Sequence, residues 1–201
     1  MDPSISSETL HLRLSAENFR EQLQAQPKKD PRIVSVQIEI SNELLLLIPH
    51  SYDSVTYRLG FLEKALGEHA LVGKEIHVQP IEQEGANLVF LVPSDWKDLI
   101  SAHFPFAKIE YTHLLAKCFM KKEQQLTLFV FGNLAFASLY QSQKLQLANV
   151  FPFETPIELA FYLQSIRDAF SLNWNLYPPL LVEGSEEISD AHLYQIPYVS
   201  S

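Results

Sequence analysis

Apolar residues fall at every second position in one stretch of the chain, where Val34, Val36, Ile38 and Ile40 alternate with Ser35, Gln37 and Glu39. Successive strand side chains point to opposite faces, so this segment predicts a half-buried strand. Leu10, Leu12 and Leu14 alternate with His11 and Arg13 in the same way. Between the two, Ser15 is placed to cap a helix, Glu17 suits the positive end of its dipole, and Ala16, Phe19 and Leu23 share one face. Pro27 and Pro31 then bracket a polar loop. Leu44 to Ile48 follow the strand ending at Ile40 after a short Ser41-Asn42 turn, which predicts a hairpin with a buried second strand.

The period then lengthens. Tyr52, Val55, Leu59, Leu62 and Leu66 recur at steps of three and four and predict a helix, with Gly67 where a left-handed stop is wanted. Strands are predicted at Glu75 to Ile81 and Ala86 to Val92, joined by the polar turn Glu82 to Gly85. Ser94 is placed to cap a short helix whose apolar face is Trp96, Leu99, Ile100 and Phe104, and Pro105 ends it. A strand at Lys108 to Tyr111 and a helix carrying Leu114, Leu115, Cys118 and Phe119 complete this half.

Lys121 to Gln125 reads as the boundary between two lobes, residues 1–121 and 122–201. The second opens on three strands, Leu126 to Phe131, Leu134 to Tyr140 and Leu145 to Phe151, separated by Gly132-Asn133 and by the polar turn Gln141 to Lys144. This is a three-stranded meander. Thr155-Pro156-Ile157-Glu158 matches a capping box with proline at the first helical position, so a helix starts there with Leu159, Tyr162, Leu163, Ile166 and Phe170 on one side. Leu180 to Val182 is a final short strand, followed by Gly184. Strands and helices interleave throughout, so the class is α/β with mixed sheets.

Composition narrows the function. A formal charge of -9 opposes the Lys and Arg contacts on which nucleic-acid binding rests. The only basic runs are the pairs Lys28-Lys29 and Lys121-Lys122, which read as solvated loops. The apolar run from Leu44 to Pro49 is far below the roughly twenty residues of a spanning helix, so no membrane insertion is expected. Cys118 is the single cysteine and no signal-like segment opens the chain, which together predict a cytoplasmic protein.

Enzyme signatures fail one after another. Gly67 and Gly73-Lys74 imitate a phosphate loop, but five residues separate the glycines and Glu75 stands where a Ser or Thr would hold magnesium. No G-x-G turn or G-x-S-x-G elbow is present. The seven histidines contain no i, i+4 pair and no Cys/His cluster, so no metal site is expected. Glu39 and Glu110 fall on outward positions of their strands, and Cys118 lies on an apolar face as a structural thiol.

The order meander, helix, strand, preceded by Leu91-Val92-Pro93-Ser94, His103-Phe104-Pro105 and Ala107-Lys108-Ile109, resembles an uncharacterised bacterial family, mainly of the Bacteroidetes, with an actin-like ATPase fold. The resemblance covers about Val34 to Tyr194 and extends distantly to the pilus-assembly protein PilM and the division protein FtsA. It implies two ribonuclease-H-like lobes, the first abbreviated, and work through protein partners. It also implies that a phosphate loop, if kept, falls at the first turn of the meander. There the sequence reads Phe129-Val130-Phe131-Gly132-Asn133, with an apolar residue where a magnesium-binding carboxylate belongs. Gly184 and Ser185 stand where adenosine-binding glycines are implied.

The resulting expectation is a pseudo-ATPase. It has no cofactor, no metal and no catalytic residue, and Gly132, Asn133, Gly184 and Ser185 mark a degenerate nucleotide site. A protein partner is expected, and homo-oligomerisation stays open. Two other readings remain: a nucleotide-binding protein of the same fold with non-standard residues, and a small-molecule module between the lobes. Leu193, Tyr194, Ile196, Tyr198 and Val199 are too apolar for a solvated terminus, so the tail is expected to dock on the chain's second lobe or on a partner's sheet edge.

Overall fold

The computed structural model describes residues 8–119, 124–176 and 178–182. The chain divides into two compact units between His113 and Leu114. The first runs β1 (Glu8–Leu14), α1 (Phe19–Gln24), β2 (Ile33–Ile40), β3 (Leu45–Pro49), α2 (Val55–Leu66), α3 (Glu68–Leu71), β4 (Lys74–Ile81), β5 (Ala86–Pro93), α4 (Ser94–His103) and β6 (Lys108–His113). Short 3-10 turns occupy His50–Tyr52 and Glu82–Glu84.

Two sheets form this unit. In one, β1, β2 and β6 run parallel with β2 at the centre. The alternation seen in the sequence becomes burial: Val36, Ile38 and Ile40 are inside, as are Leu12 and Leu14. Glu39 pairs across the ladder with Arg13 at 2.9 Å, on the more exposed face. In the other sheet β5 is central, flanked antiparallel by β3 and β4.

The expected hairpin of residues 34–48 is therefore wrong. Both edges of β2 are taken, by β1 and β6, so no edge is left for β3. The chain turns a corner at Asn42, whose Nδ2 donates to Leu91 O at 2.8 Å while its Oδ1 accepts from Leu44 N at 3.0 Å. Those two bonds hand the strand to β5.

Helix starts differ from expectation for local reasons. Ser15 and Asn18 bond reciprocally, Ser15 N donating to Asn18 Oδ1 and Asn18 N donating to Ser15 Oγ, so helix begins only at Phe19. Phe19 stacks on Trp96 of α4 with centroids 4.2 Å apart, which fastens α1 to α4. Helix α4 starts at Ser94 itself with Pro93 at its N-cap and no side-chain cap bond, so Ser94 does not cap it. Ser54 caps α2 by accepting from Tyr57 N. Gly67 ends α2 as expected but at φ 84°, ψ 150°, an extended conformation open to glycine rather than the left-handed helical one. The expected apolar stripe of α2 is mostly outside: only Leu62 is buried, while Val55 is 79% and Tyr52 58% exposed. Asp53 anchors the helix start, accepting from Arg58 Nε at 2.7 Å and Nη2 at 2.9 Å and from Asn87 Nδ2 of β5.

The second unit opens on a 3-10 segment, Leu114–Cys118, where an α-helix was expected. It continues with β7 (Gln124–Phe131), β8 (Leu134–Gln141), β9 (Lys144–Pro152), α5 (Pro156–Ala169) and β10 (Leu180–Leu181). The sheet order is β10-β7-β8-β9, with the meander antiparallel and β10 parallel to β7. Ala135, Ala137 and Leu139 share a cluster with Leu126, Leu128 and Val130 and with Leu159, Leu163 and Ile166 of α5. Phe136, Ser138 and Tyr140 lie on the opposite face and are equally buried. There Cys118 Sγ donates to Phe136 O, and Ser138 Oγ donates to Cys118 O. Burial on both faces explains the nearly unbroken apolar run of β8. The capping box is complete: Glu158 N donates to Thr155 Oγ1 at 3.3 Å, and Glu158 Oε2 accepts from Thr155 N. Among the described residues no helix is long and apolar enough to cross a membrane.

Candidate functional site

Gly132 and Asn133 form the whole of the β7–β8 turn, because Phe131 and Leu134 are already a registered pair. Gly132 takes φ 56° at the first turn position, a conformation that costs glycine little. Asn133 O accepts from Phe153 N at 2.9 Å, so the turn also holds the end of the third strand. Phe129 and Val130 are buried in the sheet behind it.

Strand β10 reaches the same end of the sheet. Leu181 is level with Leu128, Val182 N donates to Leu128 O at 2.8 Å, and β7 continues three residues further, to Phe131. The turn and the exit from β10 are thereby on one edge of the unit. Gly184 and Ser185 lie outside the described residues, as do the apolar positions of the C-terminal segment.

The chemistry at this turn can be tested against a magnesium nucleotide. Magnesium demands oxygen ligands, and a phosphate loop needs backbone amides that fold around an anion. Val130 and Phe131 supply hydrocarbon, and a two-residue turn is too short to wrap a phosphate. The residues present do not fit the group. Among the described residues no three His, Cys, Asp or Glu side chains gather to hold a metal ion.

A polar cluster missed in the sequence reading sits in the first unit. His113 at the end of β6 is buried, and its Nε2–H donates to Asn42 O at 3.1 Å. Its backbone N–H donates to Gln79 Oε1 of β4 at 2.9 Å. Phe90 of β5 lies between two imidazoles, with its centroid 5.3 Å from that of His113 and 5.7 Å from that of His77. His77 also packs on Tyr111 at 4.4 Å. Burial drives the His113 pKa down to about 3, against a smaller upward pull from the Asn42 carbonyl. Burial lowers His77 as well, despite Glu75 nearby, and pushes the Tyr111 hydroxyl up to about 12. All three groups are neutral at physiological pH, which makes the cluster a packed polar joint between β4, β5 and β6. No local pattern announces it, since His77 and His113 are 36 positions apart and are bridged by Phe90.

Cys118 is the chain's one thiol, and burial raises its pKa to about 12. A thiol so rarely ionised is a poor nucleophile.

Comparison with known proteins bears on the fold. A protein with actin-like ATPase fold and unknown function from Bacteroides thetaiotaomicron superposes with a TM-score of 0.64 over 84% of this chain and 79% of its own, at 12% identity. The cytoplasmic domain of EpsL, an inner membrane component of the type II secretion system of Vibrio cholerae, gives 0.44 at 19% identity, covering 97% and 96% of the two chains. A PilM–PilN type IV pilus biogenesis complex gives 0.37 at 12% identity over 79% of this chain and 52% of that one. No curated protein matches the sequence. The first of these likenesses shows the fold: a mixed α/β architecture similar to an actin-like ATPase fold, with the second unit built as meander, helix and parallel strand. Residues 5–196 match the family described as protein of unknown function (DUF3822), and the chain belongs to that family.

Proposed function

We propose that this chain is a non-catalytic actin-like protein, a pseudo-ATPase that serves as a protein-interaction scaffold in the cytoplasm. The observation that carries the reading is the β7–β8 turn. It spends its two residues on closing a hairpin, has Val130 and Phe131 where oxygen ligands are required, and engages Asn133 O in the fold itself. A net charge of -9 adds repulsion toward a triphosphate stripped of its cation. The interaction half of the reading is supported by Tyr52 and Phe61, apolar side chains held outside that line one groove beside β3. Large apolar groups clustered on one surface mark interaction sites more often than not.

The test is a thermal scan at saturating Mg-ATP beside a phosphate-release assay. A ligand at a hundred times its dissociation constant stabilises the native state by about 2.7 kcal/mol, roughly 5 to 10 °C for a chain of this size. The expected result is no shift and no phosphate release. A shift of that size overturns the pseudo-ATPase reading in favour of nucleotide binding, and phosphate release abolished by substitution at Asn133 or Gly184 makes the protein an enzyme.

A further inference from the structure

Strand β3 is an edge of its sheet, since the order is β3-β5-β4. The ladder determines which of its peptide groups face outward. Leu91 N donates to Leu44 O and His50 N donates to Gly85 O, so positions in phase with Leu44 and His50 bond inward to β5. Leu45, Leu47 and Pro49 therefore turn their peptide groups away from β5. Leu45 N is occupied by a local bond to Glu43 O, and Pro49 has no N–H. Leu47 is left with both N–H and C=O aimed at the free edge, where no strand pairs among the described residues. An apolar edge of this kind is a template for another strand.

Beside that edge runs a groove of about 450 Å³ between Leu46–Pro49 of β3 and the Phe61, Lys64 and Ala65 side of α2, with Tyr52 contributing. Its lining is apolar except for Lys64, its single formal charge. A free strand edge with a helix wall alongside is the geometry in which peptides bind by strand addition, backbone bonds giving affinity and alternate side chains entering the groove.

We propose that this groove takes the C-terminal segment of a second copy of the chain, with residues 191–199 adding a fourth strand to β3. The segment has the matching chemistry. Leu193, Tyr194, Ile196, Tyr198 and Val199 are apolar, and Glu183, Glu186, Glu187 and Asp190 precede them, opposite in sign to Lys64. The register also works. With Leu193 antiparallel to Leu47, the two residues exchange both hydrogen bonds, while Tyr194 and Ile196 fall beside Leu46 and Leu44 on the α2 side. Pro197, which has no N–H to give, falls beyond the start of β3. This assembly goes beyond the scaffold reading and is independent of nucleotide.

Sedimentation of the full chain and of a chain ending at Asp190, across a concentration series, tests the proposal. A labelled peptide of residues 186–201 is titrated into the shortened chain. The full chain is expected to reach twice its 23.0 kDa mass and the shortened chain to stay monomeric. The peptide is expected to bind the shortened chain and to lose affinity about tenfold or more with Ala65→Glu, which places a carboxylate in the groove, and with Leu47→Pro, which removes the outward N–H. Ala65 is exposed, so Ala65→Glu leaves the fold intact where Leu47→Pro fails to. Association unaffected by the truncation, or peptide affinity unchanged in folded Ala65→Glu, overturns the proposal. A full chain that stays monomeric while the shortened chain takes the peptide also overturns it, because the tail then belongs to its own molecule.

Discussion

His113 makes the folded chain sensitive to mild acid in a way that can be isolated by one substitution. Its folded pKa of about 3 lies below the ordinary value of 6.5, because the ring is fully buried. Between those values the unfolded chain takes up a proton that the folded chain refuses, so stability falls as pH drops and is intact above about 7. The size follows from the ordinary pKa alone while the pH stays well above 3: about 2 kcal/mol is lost between pH 7.5 and pH 5.0. His113→Gln removes that titration and keeps a neutral N–H donor. The variant is expected to be less stable at pH 7.5 by roughly 1 to 3 kcal/mol, since the fit to Asn42 O is imperfect. By pH 5.0 the gap between the two proteins should close by about 2 kcal/mol. Urea unfolding followed by tryptophan fluorescence reads it, because Trp96 is stacked on Phe19 in the same unit as His113. His77 shifts in the same direction but is common to both proteins and cancels in the comparison. A gap that does not change with pH, or an NMR titration of the His113 ring with a midpoint near 6.5, refutes the reasoning.

Thr155→Ala removes the oxygen that accepts from Glu158 N and should cost about 1 kcal/mol, read as a fall of roughly 2 to 4 °C in the melting temperature. Unchanged stability with lost self-association would instead place this helix start in an interface. Cys118 should resist thiol reagents at pH 8 in the folded chain, because a rise from 9.0 to about 12 lowers the thiolate fraction on the order of a thousandfold. Labelling that outpaces unfolding, measured by mass spectrometry, would show the thiol to be accessible.

The second unit was legible almost element by element. The strands of its meander are consecutive and antiparallel, its turns fall on Gly132-Asn133 and on Ser142-Gln143, and its helix carries a complete capping box. Each of those signals is local, and within the meander neighbours in sequence are neighbours in the sheet. The Leu114–Cys118 segment broke the pattern because its apolar residues cover β8 from a short 3-10 turn, and periodicity over five residues cannot separate the two helix types. Gly132 and Asn133 were found by the turn they make, whereas the His77–Phe90–His113 cluster was invisible because it joins three strands that are distant in sequence.

The first unit shows where local pattern stops being informative. Leu44 to Ile48 announced a strand, and β3 is one, but its partner depends on edges that other segments fill. Parallel pairing needs residues far apart, and β6, which closes β2, arrives only after about seventy residues of intervening chain have formed a second sheet. The stripe on α2 misled for a related reason. Steps of three and four reveal that a helix has an apolar side, yet they do not say that anything within the same fold will cover it. Here the sheet beneath is three strands wide and ends at β3, so it buries Leu62 and leaves Phe61, on the β3 side of the helix, outside. A helix patterned for more sheet than its own unit provides, next to a strand edge with Leu47 unpaired, is the same deficit seen twice, and a single added strand would relieve both.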